Sequence, residues 1–175
     1  MDRKSGIVIQ ICIALAGIVL FLPGLGGVRL FDWDEINFAE SAREMLITGD
    51  LLNVQINFES FWEKPPLFIW MQALCMKVFG VGEMAARLPN AIAGIVTLLV
   101  LFNIGRRCAG NRFGLLWVLM YAASFFPFFY FKSGIIDPWF NLFIFLGIYF
   151  FSRYADPEAK GRMMQNAALS ALFIG

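Results

Sequence analysis

Phe31-Asp32-Trp33-Asp34-Glu35 opens the one long polar interval of this chain, and Glu63-Lys64-Pro65-Pro66 closes it. Outside that interval the sequence is apolar nearly throughout. Of 175 residues 59% are hydrophobic and 17% aromatic, 20 of them Phe, and the mean hydropathy is +0.69. A soluble domain of this length would need more polar surface to cover its core, so the composition points to an all-α, multi-pass membrane protein. The polar interval then becomes an outer loop over residues 28–84, with two amphipathic juxtamembrane helices in it. A net charge of +1 excludes the basic stripe that nucleic acid demands.

Working outward from the loop, Asp32 is placed to cap a helix over Asp34–Thr48. Phe38, Ala42, Met45 and Leu46 form its apolar stripe, Glu35, Glu40, Arg43 and Glu44 its polar remainder, and Gly49 its stop. This is the pattern of a helix lying in the interface. Leu51–Trp62 reads as extended or irregular. Pro65-Pro66 starts a second helix whose apolar body, Leu67–Phe79, is about 20 Å long and short of a hydrocarbon core of about 30 Å. It is therefore expected to be juxtamembrane or re-entrant.

The expected spans are about 7–25, 85–105, 113–131, 138–152 and an incomplete 163–175. Pro23-Gly24-Leu25-Gly26-Gly27 offers no signal-peptidase type of site, so the first is read as retained, with Arg3 and Lys4 holding the N-terminus in the cytoplasm. Arg106, Arg107 and Arg112 mark one cytoplasmic loop, and Arg153, Lys160 and Arg162 another; Pro127 is a plausible kink. With Leu67–Phe79 re-entrant, the basic short loops all fall inside and Asp34, Glu63, Lys64 and Asp137 all face outside. Had that segment crossed, Arg106 and Arg107 would lie outside. Ala167–Gly175 is too short to span, so the sequence is expected to be the N-terminal part of a longer protein.

Cys12, Cys75 and Cys108 lie in or beside apolar segments without metal-type spacing and read as buried free thiols. There is no histidine, so acid–base chemistry falls to carboxylates, lysine or tyrosine. Asp34-Glu35 at a helix start is either dipole complementarity or a reactive site. Glu63-Lys64 is either a solvated turn or a point-charge contact for phosphate, its backbone held by the prolines. Asp137-Pro138 is either an N-cap followed by proline or a functional carboxylate at a membrane edge. Lys132, Arg87 and Glu83 read as interface anchors.

Taken in order, Asp34-Glu35-x-x-Phe38-Ala39-Glu40, Ala42-Arg43-Glu44-Met45, Gly49-Asp50, Glu63-Lys64-Pro65-Pro66, Phe79-Gly80 and Ala86-Arg87-Leu88-Pro89 resemble the N-terminal part of the GT-C membrane glycosyltransferases. The resemblance is to the dolichyl-phosphate-mannose protein mannosyltransferase and lipid A aminoarabinose transferase family. It covers roughly Arg29–Phe151, and the aminoarabinose-type branch looks nearest. It implies an inverting enzyme of the bacterial inner membrane that takes a sugar from a polyprenyl-phosphate carrier on the outer face. The acceptor would be a hydroxyl of lipid A, another glycan or a protein.

By the same resemblance Asp34 is the catalytic base, Lys64 contacts the donor phosphate, and Glu35, Glu63 and Asp137 line the substrate site. Glu63 matches a position that can ligate a divalent cation together with a histidine, so such a site would be completed beyond Gly175. The sequence departs from the branch at Asn37 and Phe38, where Arg and Tyr are usual, which bears on the sugar. The chemistry is consistent: a sugar phosphoester has a good leaving group, and what must be supplied is a base for the hydroxyl and a cation for the phosphate. Two other classes compete. A transporter would use Asp34 and Asp137 as ion or proton sites, and a scaffold would tolerate neutralising Asp34.

Overall fold

The computed structural model describes residues 3–156 and 162–174. Lys160 lies outside the described residues. Among the described residues there are seven helices: α1 Arg3–Phe21, α2 Asp34–Thr48, α3 Pro66–Phe79, α4 Glu83–Ala122, α5 Phe125–Phe131, α6 Asp137–Ala155 and α7 Met163–Ile174. A two-residue antiparallel pair, β1 Gln55–Ile56 and β2 Glu59–Ser60, sits between α2 and α3. The chain forms two compact units, residues 1–136 and 137–175. Among the described residues α4 is the one helix long and apolar enough to cross a membrane.

α4 is folded on itself. Ala109 (φ −145°) and Gly110 (φ 85°) leave helical geometry, and beyond them Gly114 lies against Gly105. A methyl on Gly105 would come within 2.8 Å of the Gly114 Cα, and one on Gly114 within 2.8 Å of the Phe102 carbonyl oxygen. In a straight helix those glycines would be about 13 Å apart, so the chain reverses at Gly110, whose positive φ an L side chain rarely adopts. The reversal falls within the predicted basic loop but is far tighter, because the helix runs on through Arg106 and Arg107.

α1 packs antiparallel to the first arm of α4. Gly17 meets Ile95 near one end, Gly6 meets the Arg106 side chain near the other, and Gln10 donates to Asn103 at 2.5 Å between them. Gly94 leaves room for Phe21 and Phe131, whose rings meet edge-on at 5.1 Å. α5 starts after a break at Ser124. Pro127 lies in its first turn, where a missing N–H costs nothing, so the break falls upstream of the proline that was expected to kink a continuous helix.

Cys12 and Cys108 are exposed on the protein surface and Cys75 half-buried, all three free, which corrects the expectation of buried thiols. An apolar segment buries only the stripe that meets another helix, and Cys12 and Cys108 face away. In the second unit α6 and α7 run antiparallel: Ser170 donates to the Gly147 carbonyl at 3.0 Å, and Phe173 packs between Phe143 and Phe150.

Candidate functional site

The site is built on the start of α2. Trp33 takes the N-cap position with φ 76° and ψ −106°, and no side chain caps the helix. Asp32 therefore is not the cap; its carboxylate accepts the Trp33 N–H at 2.9 Å. Trp33 is 78% exposed while its backbone sits in a region that non-glycine residues rarely occupy. Such strain persists only where the surroundings hold it.

Successive helical residues point about 100° apart, so the Asp34-Glu35 pair is split. Glu35 falls on the stripe of Phe38, Ala42 and Met45 and is 1% exposed, whereas Asp34 turns outward. Glu35 meets Arg87, itself 3% exposed, from the first turns of α4. Arg87 donates from Nε and Nη2 to the two carboxylate oxygens at 2.7 and 2.9 Å. Its remaining donors reach the carbonyls of Leu25 (2.8 Å), Val28 (2.7 Å) and Arg29 (3.0 Å). Glu35 also accepts the backbone N–H of Phe31 at 2.6 Å and of Gly134 at 2.5 Å. All five guanidinium donors and four carboxylate acceptor positions are thereby used. Arg87 is not an interface anchor, as its sequence context suggested. It joins α4 to the α1–α2 connection.

The turn after α5 belongs to the same assembly. Asn90, one turn along α4 from Arg87, donates to the carbonyls of Ser133 and Ile135, both at 2.6 Å. Gln72 of α3 donates to the Ala86 carbonyl at 2.8 Å. Gly134 passes so close that an added methyl would lie 3.2 Å from the Ala86 oxygen and 3.2 Å from Glu35 Cγ.

Outside this interior network stands Asp34. Its Oδ1 lies 4.0 Å from the Lys64 ammonium, the two side chains 51% and 33% exposed. The Lys64 ammonium also sits 5.6 Å from the Phe38 ring centre, a cation–π contact. Phe38 is in turn edge-on to Phe68 at 5.7 Å, which joins α2 to α3. Pro65 is extended (φ −69°, ψ 145°) and Pro66 is the first helical residue, so both sides of the approach are fixed and Lys64 is delivered to Asp34. The sequence singled out both residues, and the fold brings them together across thirty positions.

The other predicted site residues are distributed differently. Glu63 is exposed in the turn before Pro65. Asp137 begins α6 in the second unit. Glu35 is sealed inside, with its carboxylate committed to Arg87 and two backbone N–H groups, so it does not face a substrate. Among the described residues no three His, Cys, Asp or Glu side chains converge as a metal site. Glu63 offers a single carboxylate.

Further along α2, Glu44 is also fully buried, which corrects its placement on a polar face. One oxygen accepts the Phe58 N–H at 2.9 Å, and the other has no hydrogen-bond partner among the described residues. Phe58 and Asn57 both have positive φ at the tip of the β1–β2 hairpin. On the outer side Arg43 pairs with Glu40 through Nε at 2.9 Å, and that hydrogen bond holds the Glu40 carboxyl below its usual value.

The profile of the dolichyl-phosphate-mannose-protein mannosyltransferase family matches residues 63–175. The chain is 30% identical over 131 residues to the undecaprenyl phosphate-alpha-4-amino-4-deoxy-L-arabinose arabinosyl transferase of Edwardsiella ictaluri (strain 93-146), covering 74% of this chain and 24% of that one. To the enzyme of the same name from Shewanella sediminis (strain HAW-EB3) it is 26% identical over 170 residues, covering 97% and 31%. The crystal structure of ArnT from Cupriavidus metallidurans bound to undecaprenyl phosphate superposes with a TM-score of 0.80 at 25% identity, over 99% of this chain and 32% of that one. The chain thus belongs to the protein mannosyltransferase and aminoarabinose transferase family of GT-C membrane glycosyltransferases. It spans about a quarter to a third of the length of these relatives.

Proposed function

We propose that this chain supplies the base and the phosphate contact of an inverting glycosyltransferase that uses a polyprenyl-phosphate-linked sugar. The observation that carries the reading is the half-exposed Asp34–Lys64 pair, 4.0 Å apart, on a backbone held from inside by Glu35 and Arg87. The similarity to enzymes named for an undecaprenyl phosphate sugar supports the donor class. In the reaction Asp34 takes the proton of an acceptor hydroxyl. That oxygen bonds to the anomeric carbon from the face opposite the phosphate. The carbon–oxygen bond to the phosphate breaks, and polyprenyl phosphate leaves with its added negative charge facing Lys64. Attack from the opposite face inverts the anomeric centre.

The accompanying topology has spans near 7–25, 85–105, 113–131 and 138–152, a fifth from 163, and a cytoplasmic N-terminus. Residues 28–84 then face the periplasm with α3 re-entrant. Glu63 is a polar group of the donor site. The acceptor is a hydroxyl of lipid A, another glycan or a protein on that face. The test places the full-length protein in membranes with labelled sugar on polyprenyl phosphate. Asp34→Asn is expected to lower transfer by about 10²–10⁴-fold at equal protein level. Transfer at the native rate by that variant refutes the base assignment.

A further inference from the structure

We infer that Arg87, Glu35 and Gly134 form a positioning clamp whose function is to set Asp34 against Lys64. The inference rests on the glycosyltransferase reading for its kinetic arm and on geometry alone for its structural arm. Arg87 holds three successive parts of the connection that leads into α2, the carbonyls of Leu25, Val28 and Arg29, and its Glu35 partner holds the Phe31 N–H. These bonds bracket Trp33, whose positive φ turns the chain immediately before Asp34. The residue that follows Asp34 is the one clamped. A displacement of Glu35 therefore passes to Asp34 through a single peptide unit.

The other face of the clamp is Gly134, which donates to Glu35 at 2.5 Å while Asn90 holds the carbonyls on either side of it. Three segments from distant parts of the chain thus meet at one carboxylate. Among the described residues no hydrogen bond of the clamp reaches Lys64 itself, which is delivered by Pro65-Pro66 and rests against Phe38 of α2. The Asp34–Lys64 distance depends on the start of α2, which the clamp sets, and on the approach through Pro65-Pro66.

The experiment uses the full-length protein with Arg87→Lys, which keeps the charge but cannot reproduce the five-donor fork, and Glu35→Gln, which keeps shape and two acceptor positions. In the kinetic arm both variants are expected at native level in the membrane, with donor KM within twofold and kcat down at least 30-fold. In addition, Asp34→Asn placed in the Arg87→Lys background should cost at least tenfold less than it does in the native protein, because the displaced carboxylate already contributes less. A fall in abundance with native turnover per folded molecule, a change confined to KM, or full additivity each overturns the inference.

The structural arm needs no activity. Cys12, Cys75 and Cys108 are replaced by serine, and a short bifunctional thiol reagent links Asp34→Cys to Lys64→Cys. A control pair, Phe38→Cys with Phe68→Cys, reports α2–α3 packing. The clamp predicts that Arg87→Lys slows the 34–64 link at least tenfold and leaves the 38–68 link within twofold. An unchanged 34–64 link, or equal loss of both, overturns it. If Asp34→Asn alone leaves transfer intact while the 34–64 link still depends on Arg87, the base assignment fails and the clamp stands.

Discussion

Glu35 and Glu44 are two carboxylates buried on the same helix, nine positions apart, and their surroundings are opposites. Glu35 accepts from a guanidinium fork and two backbone N–H groups. Glu44 accepts one N–H, from the tip of a two-residue hairpin, and its second oxygen is unpaired among the described residues. A fully satisfied buried network fixes a unique arrangement, whereas a partly satisfied one costs desolvation without return. The first end of α2 is therefore where the fold is specified, and it is the end that carries Asp34. The second end holds a short, exposed hairpin through a single N–H.

The sharpest way to break this contrast is to remove one partner of the satisfied pair. Arg87→Ala leaves an uncompensated buried carboxylate and three unpaired carbonyls, and is expected to destabilise the protein by about 3–5 kcal/mol. Thermal unfolding in detergent or nanodiscs measures it, and a loss below 1 kcal/mol would show that water reaches Glu35. Gly134→Ala comes next. Its methyl would lie 3.2 Å from both the Ala86 oxygen and Glu35 Cγ, so the turn must move by a few tenths of an ångström. The expected cost is about 1–2 kcal/mol in the same assay.

Glu44→Gln should differ in sign. The amide oxygen keeps the Phe58 N–H and the charge is removed, while an NH2 group takes the place of the unpaired oxygen, so stability should be unchanged or raised by up to about 1 kcal/mol. A loss of 2 kcal/mol or more would reveal a cation held there.

The smallest effect belongs to the exposed Glu40–Arg43 pair. The folded-state pKa of Glu40 is depressed, so its contribution is present above the unfolded carboxylate value and is lost as pH falls through the folded one. Glu40→Gln should lower the neutral plateau of an unfolding-temperature profile slightly and flatten its acid limb, the two proteins converging at low pH.

How much of this could be read from the sequence differs by residue. Asp34 and Lys64 stand out as charges at the edges of a polar interval, and Gly49, Gly80 and Pro66 mark helix ends where the structure has them. The 4.0 Å pairing of the two charges could not be read, because it depends on Phe38 meeting Phe68. Glu35 carries a usable signal. It falls in register with Phe38, Ala42 and Met45, and a carboxylate on an apolar stripe requires a buried cation. Arg87, ahead of Pro89 in an apolar helix, was the matching half. Read singly, each looks like a surface charge. The Asn57-Phe58 hairpin has no Asn-Gly or Asp-Gly to announce it, so within the extended or irregular Leu51–Trp62 stretch its pairing was not legible.

The reversal at Gly110 has a consequence in time. Gly105 and Gly114 are near neighbours in sequence, so the folded-back α4 can close as soon as its second arm is synthesised. Glu35 has no such local solution. Its Gly134 donor lies 99 positions later in the chain. At translation rates of about 5–20 residues per second, Glu35 waits roughly 5–20 s after it is made before that partner exists. The segment bearing Asp34 is consequently among the last parts of this unit to take its final form, after the helices that will hold it are already in place.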